Sequence, residues 1–455
     1  FQPALGAGGR EFESLHPDRR EYHSSLIKPS RNRGLSFYHI LSYTQLYYNN
    51  YLFENTLKKK LIIALLLIVG CSKKPINFKA TLTEKDGTFI TFDLKDIEKV
   101  RVLKKAERYL SEPPRTVTED HCERSQGDKH SYYSEGDYWW PDPKNPNGKY
   151  IRRDGETNPN NFIAHRKSMI LLSDIIGSLS SAYIITKDEK YAQHAVRHLK
   201  AWFVDPDTKM TPNLLYGQAI KGRNSGRSIG IIDTIHLVEV ALGAKVLCQS
   251  KSFKSKDQLL VKVWFEQYLD WINSHNYGLK EKQHPNNHGV CWSLQAAAFA
   301  DFTGNTEILT WIRNQFKTVY LVQMMDQNGG FPEELKRTKP YGYSLFVLDA
   351  MAGVAQIAST SDDNLWTYEL KDGRGMEKGL AFLMPYVINK KAWPMKPDVM
   401  YWNEWPVRHP STLLGGLIFK NNNYLKTWIK LEADPKTFEV LRNLPLRHPL
   451  LWAKE

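Results

Sequence analysis

The sequence predicts an all-α domain of paired helices. From Asn161 onward, long segments repeat apolar residues at three- and four-residue spacing, and strand-like alternation is scarce. Long loops rich in Gly, Pro, Asn and Trp separate these segments. Helical hairpins set around an axis, with such loops on one rim, make an (α/α) toroid, an incomplete barrel whose loops form a cleft or tunnel. The periodicity itself gives paired helices and leaves closure of the ring open.

Along the chain, the first legible segment is 57–71. Lys58-Lys59-Lys60, the apolar run 61–69 and Gly70-Cys71 describe a bacterial secretory signal, too short to span a bilayer. Residues 68–71 resemble a lipobox. Cleavage there would leave Cys71 lipidated, and the mature protein exported to the periplasm or outer membrane of a Gram-negative cell, touching the membrane only through that lipid. Residues 1–56 contain no Met and no hydrophobic periodicity, and are expected to be upstream sequence from a wrong start. Residues 72–95 read as a spacer, and 96–455 as the catalytic domain. A charged helix over 96–110 ends at Pro113-Pro114. Periodic helices follow at 169–185, 191–203, 231–247, 259–272, 291–302, 308–325 and 344–357. The loops at 132–159, 210–227, 280–288 and 327–343 are long enough to expect function in them.

Lys and Arg number 62 against 49 Asp and Glu in 455 residues. Nine basic and five acidic residues fall in 1–71, so the remainder carries 53 against 44, or +9. Such a balance suits a polyanionic partner. Nucleic acid is disfavoured by export and by scattered rather than clustered basic residues. Aromatic residues make up 12% of the chain, with thirteen Trp, enough to meet sugar faces or to fill a bulky core. Cys71, Cys122, Cys248 and Cys291 form neither a metal-ligand pattern nor a disulfide framework.

The chemistry concentrates in His284-Pro285-Asn286-Asn287-His288-Gly289 and, some fifty residues later, Glu333-Glu334-Leu335-Lys336-Arg337 with Tyr341-Gly342-Tyr343. Together they supply an amide, an imidazole, a guanidinium and a phenol, the set needed to take the C5 proton of a uronate. That proton is very weakly acidic beside an ionised carboxylate, so Asn287 and Arg337 would neutralise the carboxylate before a base acts. His288 can serve as base or positioning donor. Arg337 beside a Tyr would favour the phenolate. No metal or cofactor is required. Singly, each residue also fits a bland role: Asn287 an N-cap, His288 a buried histidine, Arg337 a surface charge, Tyr343 a packed ring.

These segments resemble the alginate lyase superfamily of α/α-toroid enzymes, typified by polysaccharide lyase families 5 and 38, over most of residues 105–415. The resemblance includes Gly136-Asp137-Tyr138-Trp139-Trp140-Pro141, Tyr150-Ile151-Arg152-Arg153-Asp154-Gly155, Asn213-Leu214-Leu215-Tyr216-Gly217-Gln218 and Gly226-Arg227-Ser228-Ile229-Gly230. It implies β-elimination of alginate, with Asn287 and Arg337 as carboxylate neutralisers, His288 as base and Tyr343 as base or acid. It implies a syn route for mannuronate, with Tyr in both roles, and an anti route for guluronate, with His abstracting and Tyr donating. The six-residue Arg337-to-Tyr343 spacing, and Gly-Val-Cys-Trp after His288 instead of Ser-Tyr-Trp, point to family 38. Substrate-binding candidates are Gln218, Arg223 and Arg227 before a helix start, and Trp139, Trp140, Tyr341 and Trp402 as sugar-facing rings. A monomer acting on an acidic polysaccharide is expected.

Three other readings stay open at this level. Glucuronan shares the carboxylate and the C5 proton. A glycoside hydrolase would use two carboxylates, with Asp137, Asp142, Glu333 and Glu334 as candidates. A surface glycan-binding lipoprotein would need only the charge and the rings.

Overall fold

The computed structural model describes residues 79–83 and 87–452. The expected signal, Cys71 and residues 1–56 lie outside them. The helices run α1 (Leu94–Tyr109), α2 (Ala164–Thr186), α3 (Glu189–Phe203), α4 (Leu237–Leu247), α5 (Ser255–Ser274), α6 (Asn276–Lys282), α7 (Asn287–Thr303), α8 (Thr306–Gln315), α9 (Pro332–Leu335), α10 (Pro340–Ala358), α11 (Met376–Ile388), α12 (Pro410–Ile418), α13 (Asn422–Lys430) and α14 (Phe438–Arg442).

Helices α2, α4, α7, α10 and α12 pack one against the next as an inner layer, and α3, α5, α8, α11 and α13 lie outside them as hairpin partners. This is an (α/α) toroid. The inner helices are apolar on nearly every face, as helices enclosed on all sides must be; all 19 residues of α10 are buried. Small residues let them approach closely. A Cβ on Gly353 would fall 2.7 Å from Leu294 Cδ1, so glycine is what allows α10 to sit this near α7. The outer helices are amphipathic: α3 buries Tyr191, Ala195, Leu199 and Trp202, one stripe at helical spacing.

The C-terminal tail ties the inner layer together. Leu444, Leu446, Leu450, Leu451 and Trp452 are buried. Gln356 on α10 donates to the Trp452 carbonyl at 3.0 Å, and His448 Nδ1 meets Glu239 of α4 at 2.7 Å.

The structure departs from the sequence expectations in several places. Within the expected spacer, β1 (Lys79–Thr83) and β2 (Phe89–Asp93) form an antiparallel hairpin, and buried Phe92 packs edge-on against Trp428 of α13. The helix expected over 231–247 starts as a 3-10 segment, Ser228–His236, and the one over 308–325 finishes in π-helical turns, Phe316–Met324. Helices α11 to α14 follow segments not singled out from periodicity. Short strands organise the rim: β3 (Tyr133–Glu135), β4 (Trp139–Trp140), β5 (Ile151–Arg152) and β6 (Tyr216–Ala219), with β3 parallel to β6 and β4 antiparallel to β5. Cys122, Cys248 and Cys291 are free thiols.

Candidate active site

Two inner helices begin at one cleft of about 330 Å³. At the start of α7, Asn286 is the N-cap, its side chain accepting from the His288 N–H at 3.1 Å. The Asn287 N–H goes to Glu334 Oε1 at 2.7 Å, joining α7 to α9. Burial pushes the Glu334 carboxyl above the usual carboxylate range. His288 is fixed from behind: its Nδ1 bonds the carboxylate of Glu281, a residue of α6 with 1% exposure. A carboxylate only accepts, so the network assigns the proton to Nδ1 and the lone pair to Nε2.

At the start of α10, the Asp398 carboxylate accepts from the Tyr341 and Gly342 N–H groups, both at 2.9 Å. It satisfies two donors that a helix N-terminus leaves open. A Cβ on Gly342 would lie 2.8 Å from Asp398 Oδ2, so this approach requires glycine. Tyr343 stands in the same first turn. The Arg337 guanidinium lies 4.5 Å from its ring centre and Lys339 Nζ 5.5 Å. Its hydroxyl donates to that of Tyr138 at 2.9 Å. Arg337 does favour the phenolate, as the sequence suggested. Burial is the larger effect, however, and raises the phenol well above its ordinary value, so Tyr343 rests protonated.

Arg337 is already engaged. Asp154 accepts from its Nε at 3.1 Å and its Nη2 at 2.9 Å, leaving Nη1 as the open edge, 4.0 Å from Glu334. Arg227 differs. Its Nη2 and Nε donate to the side chain and backbone carbonyls of Gln218 at 2.8 and 3.0 Å, and among the described residues no carboxylate pairs with it directly. Burial pushes it down to about 10. Gln218 is held in turn by Asp233 at 2.9 Å.

The cleft thus gathers Trp139, Gln218, Arg227, Asn287, His288, Arg337 and Tyr343. Four other predicted residues are placed differently. Tyr341 is fully buried, its ring against Trp393 and Trp402 and its hydroxyl bonded to the Tyr386 carbonyl, so it cannot meet a sugar. Trp402 packs on that ring beneath Lys390. Trp140 donates to the Glu156 carbonyl and lies under Arg153. Arg223 is exposed, bonds the Tyr150 carbonyl and stacks over Trp139. Residues the sequence reading passed over complete the site: Glu281 behind His288, Asp154 on Arg337, and Tyr138, Glu439 and Arg442 around the Tyr343 hydroxyl. Tyr138 and Asp154 lay inside quoted motifs; Glu439 and Arg442, on the short C-terminal α14, carried no signal.

A sequence profile for the family described as alginate lyase matches residues 116–393. The chain belongs to the alginate lyase family. It is therefore a lyase. Among solved structures it is similar to an alginate lyase from Bacteroides ovatus, with 30% identity, a TM-score of 0.68, and coverage of 80% of this chain and 94% of that one. It also matches a single-residue variant of alginate lyase A1-III complexed with tetrasaccharide, at 13% identity and TM-score 0.51, covering 78% of this chain and 94% of that one, a likeness of fold. No curated protein matches the sequence.

The family's chemistry is compatible with the charge arrangement here. Several carboxylates near the cleft are committed to cations: Asp137 to Arg166 and Arg442, Asp154 to Arg337, Glu439 to Arg442 and Lys339. Glu334 is tied to the Asn287 N–H and Glu281 to His288. Glu333 is half-buried and paired with Lys336. Of the four hydrolase candidates only Asp137 lines this cleft, and it is held by two arginines, so a facing acid–base pair of carboxylates is not assembled from them there.

Proposed function

We propose that this lyase cleaves alginate by β-elimination, leaving a 4,5-unsaturated uronate end. The observation that carries the reading is the placement of a carboxylate-backed imidazole, His288, and a protonated phenol, Tyr343, on two helix starts facing one cleft with Arg227. Among the described residues Arg227 has no direct carboxylate partner, which suits it to recruit a uronate carboxylate. The Asn287 amide and the open Nη1 edge of Arg337 then neutralise the reacting carboxylate, and this makes the C5 proton removable. In the anti route His288 Nε2 takes that proton, the C4–O4 bond breaks as the double bond forms, and Tyr343 gives its O–H proton to O4. The resting protonation of Tyr343 favours this division of labour, hence guluronate-type geometry. The syn route requires Tyr343 to lose its proton first.

The test is ultraviolet absorbance of the unsaturated product when the domain after Cys71 is incubated with polymannuronate, polyguluronate and glucuronan. A rise on either alginate block is expected, larger on polyguluronate. A rise on glucuronan alone keeps the chemistry and replaces the substrate, and silence on all three from folded protein defeats the reading. We also propose export and anchoring through a lipidated Cys71, on the strength of the segment 57–71. Mass spectrometry of the mature N-terminus decides this, and retention of Phe1 would overturn it.

A further inference from the structure

The hydroxyl of Tyr138 uses all its hydrogen-bonding capacity in a network the proposed reaction does not otherwise employ. It accepts from Arg442 Nη2 at 2.7 Å and from the Tyr343 hydroxyl at 2.9 Å, and it donates to Glu439 Oε1 at 3.1 Å. A hydroxyl has one proton and two lone pairs, so this set is complete. Glu439 Oε1 is by contrast crowded. It also receives Lys339 Nζ, Arg442 Nη2 at 2.9 Å and Asn443 Nδ2 at 3.2 Å, so loss of the Tyr138 hydrogen bond leaves it well satisfied.

We propose that Tyr138 is a positioning residue with two donor directions: toward Glu439 while Tyr343 holds its proton, and toward Tyr343 once that proton has gone to the leaving O4. Rotation of one O–H bond makes the change. The Tyr343 phenolate formed in the elimination then accepts a hydrogen bond from a group already 2.9 Å away, and Glu439 keeps Lys339 and Arg442. The network needs no added reactant, because Tyr138 keeps its own proton throughout. Other charges also face Tyr343. Arg337 and Lys339 lie beside its ring, Asp137, Glu439 and Arg442 lie behind Tyr138, and His288 lines the same cleft. Their fixed cations favour the phenolate in the same sense, and none can reorient a single proton as the Tyr138 hydroxyl can.

For rates, the inference rests on the lyase reading; it is also testable without turnover. Fluorinated tyrosine, a more acidic phenol, is placed at position 343 in the full chain, and its ionisation is followed by fluorine NMR. Tyr138→Phe should move the midpoint to higher pH, and Glu439→Gln, which removes a negative charge and keeps an acceptor, should move it lower. On alginate, Tyr138→Phe should lower kcat on the order of 10²-fold with KM little changed, the scale of losing one preorganised donor to a developing anion. Fluorotyrosine at 343 should restore part of that loss. Midpoints unmoved in both variants overturn the inference, whether or not either retains activity. A silent wild type with shifted midpoints overturns the substrate reading and leaves the role of Tyr138 standing.

Discussion

The Glu281 carboxylate bonds Nδ1 of His288 from a fully enclosed position, so the imidazole is oriented before any sugar arrives. Glu281→Gln keeps the size and removes the charge. A Gln amide can donate to Nδ1, which would put the imidazole proton on Nε2 and abolish its basicity toward the cleft. The expected outcome is a loss of turnover of about 10²-fold or more, the usual share of a general base, at nearly unchanged thermal stability. Steady-state rates on polyguluronate check this. A variant as fast as wild type would make His288 a positioning donor only.

Tyr343→Phe removes one hydroxyl and, with it, the proton for O4. The ring keeps its packing under Arg337, and the single lost hydrogen bond, to Tyr138, costs about 1 kcal/mol. Turnover on every alginate block should fall by roughly 10²- to 10⁴-fold while a thermal melt shifts by only a few degrees. Retained activity would transfer the acid role away from Tyr343. Tyr341 could not take it, being sealed in the core.

What the sequence disclosed follows from how local the signal is. Four of the five inner helices, α2, α4, α7 and α10, and the residues at the starts of α7 and α10 were readable because periodicity and the Asn287-His288 and Arg337-to-Tyr343 spacings are contained in short windows; the short inner helix α12 was not. The partners were not, since Asp154 reaches Arg337 across 183 positions and Arg442 reaches Tyr138 across 304. Tyr341 and Tyr343 look equivalent in sequence. Helix geometry separates them: two residues apart on α10, they cannot share a face, and only one meets the cleft. Trp139 illustrates a different gap. Its ring is read easily as a sugar platform, yet Arg223 and Arg227 lie over it at 5.1 and 5.9 Å.

Arg227 offers a direct reading of substrate charge. Arg227→Met should keep the fold, because Gln218 remains tied to Asp233, and should lower kcat/KM for alginate by about 10- to 100-fold, the equivalent of one hydrogen bond to a charged group. The loss should appear mainly in KM. Added salt should weaken wild type more than the variant, since screening acts on the interaction that the variant lacks. Equal salt dependence of the two would place carboxylate recognition elsewhere.

Glu439 makes acid stability of the site predictable in sign. It is fully enclosed; burial alone would raise its carboxyl, but Arg442 and Lys339 together hold it down to about 2, below its ordinary 4.5. A depressed folded-state value means that the unfolded chain binds the proton more readily. The contribution to stability is therefore complete above the ordinary carboxylate value and is lost as pH falls from about 4.5 toward 2. Denaturant melts at stepped pH should show wild type losing stability across that window, with a shallower slope for Glu439→Gln, which has no proton to take up. Because Glu439 also anchors Arg442 and Lys339 around Tyr138 and Tyr343, lyase activity should be lost irreversibly only where this unfolding begins. Parallel slopes for the two proteins would show that other carboxylates, such as Asp154 on Arg337, dominate the acid limb.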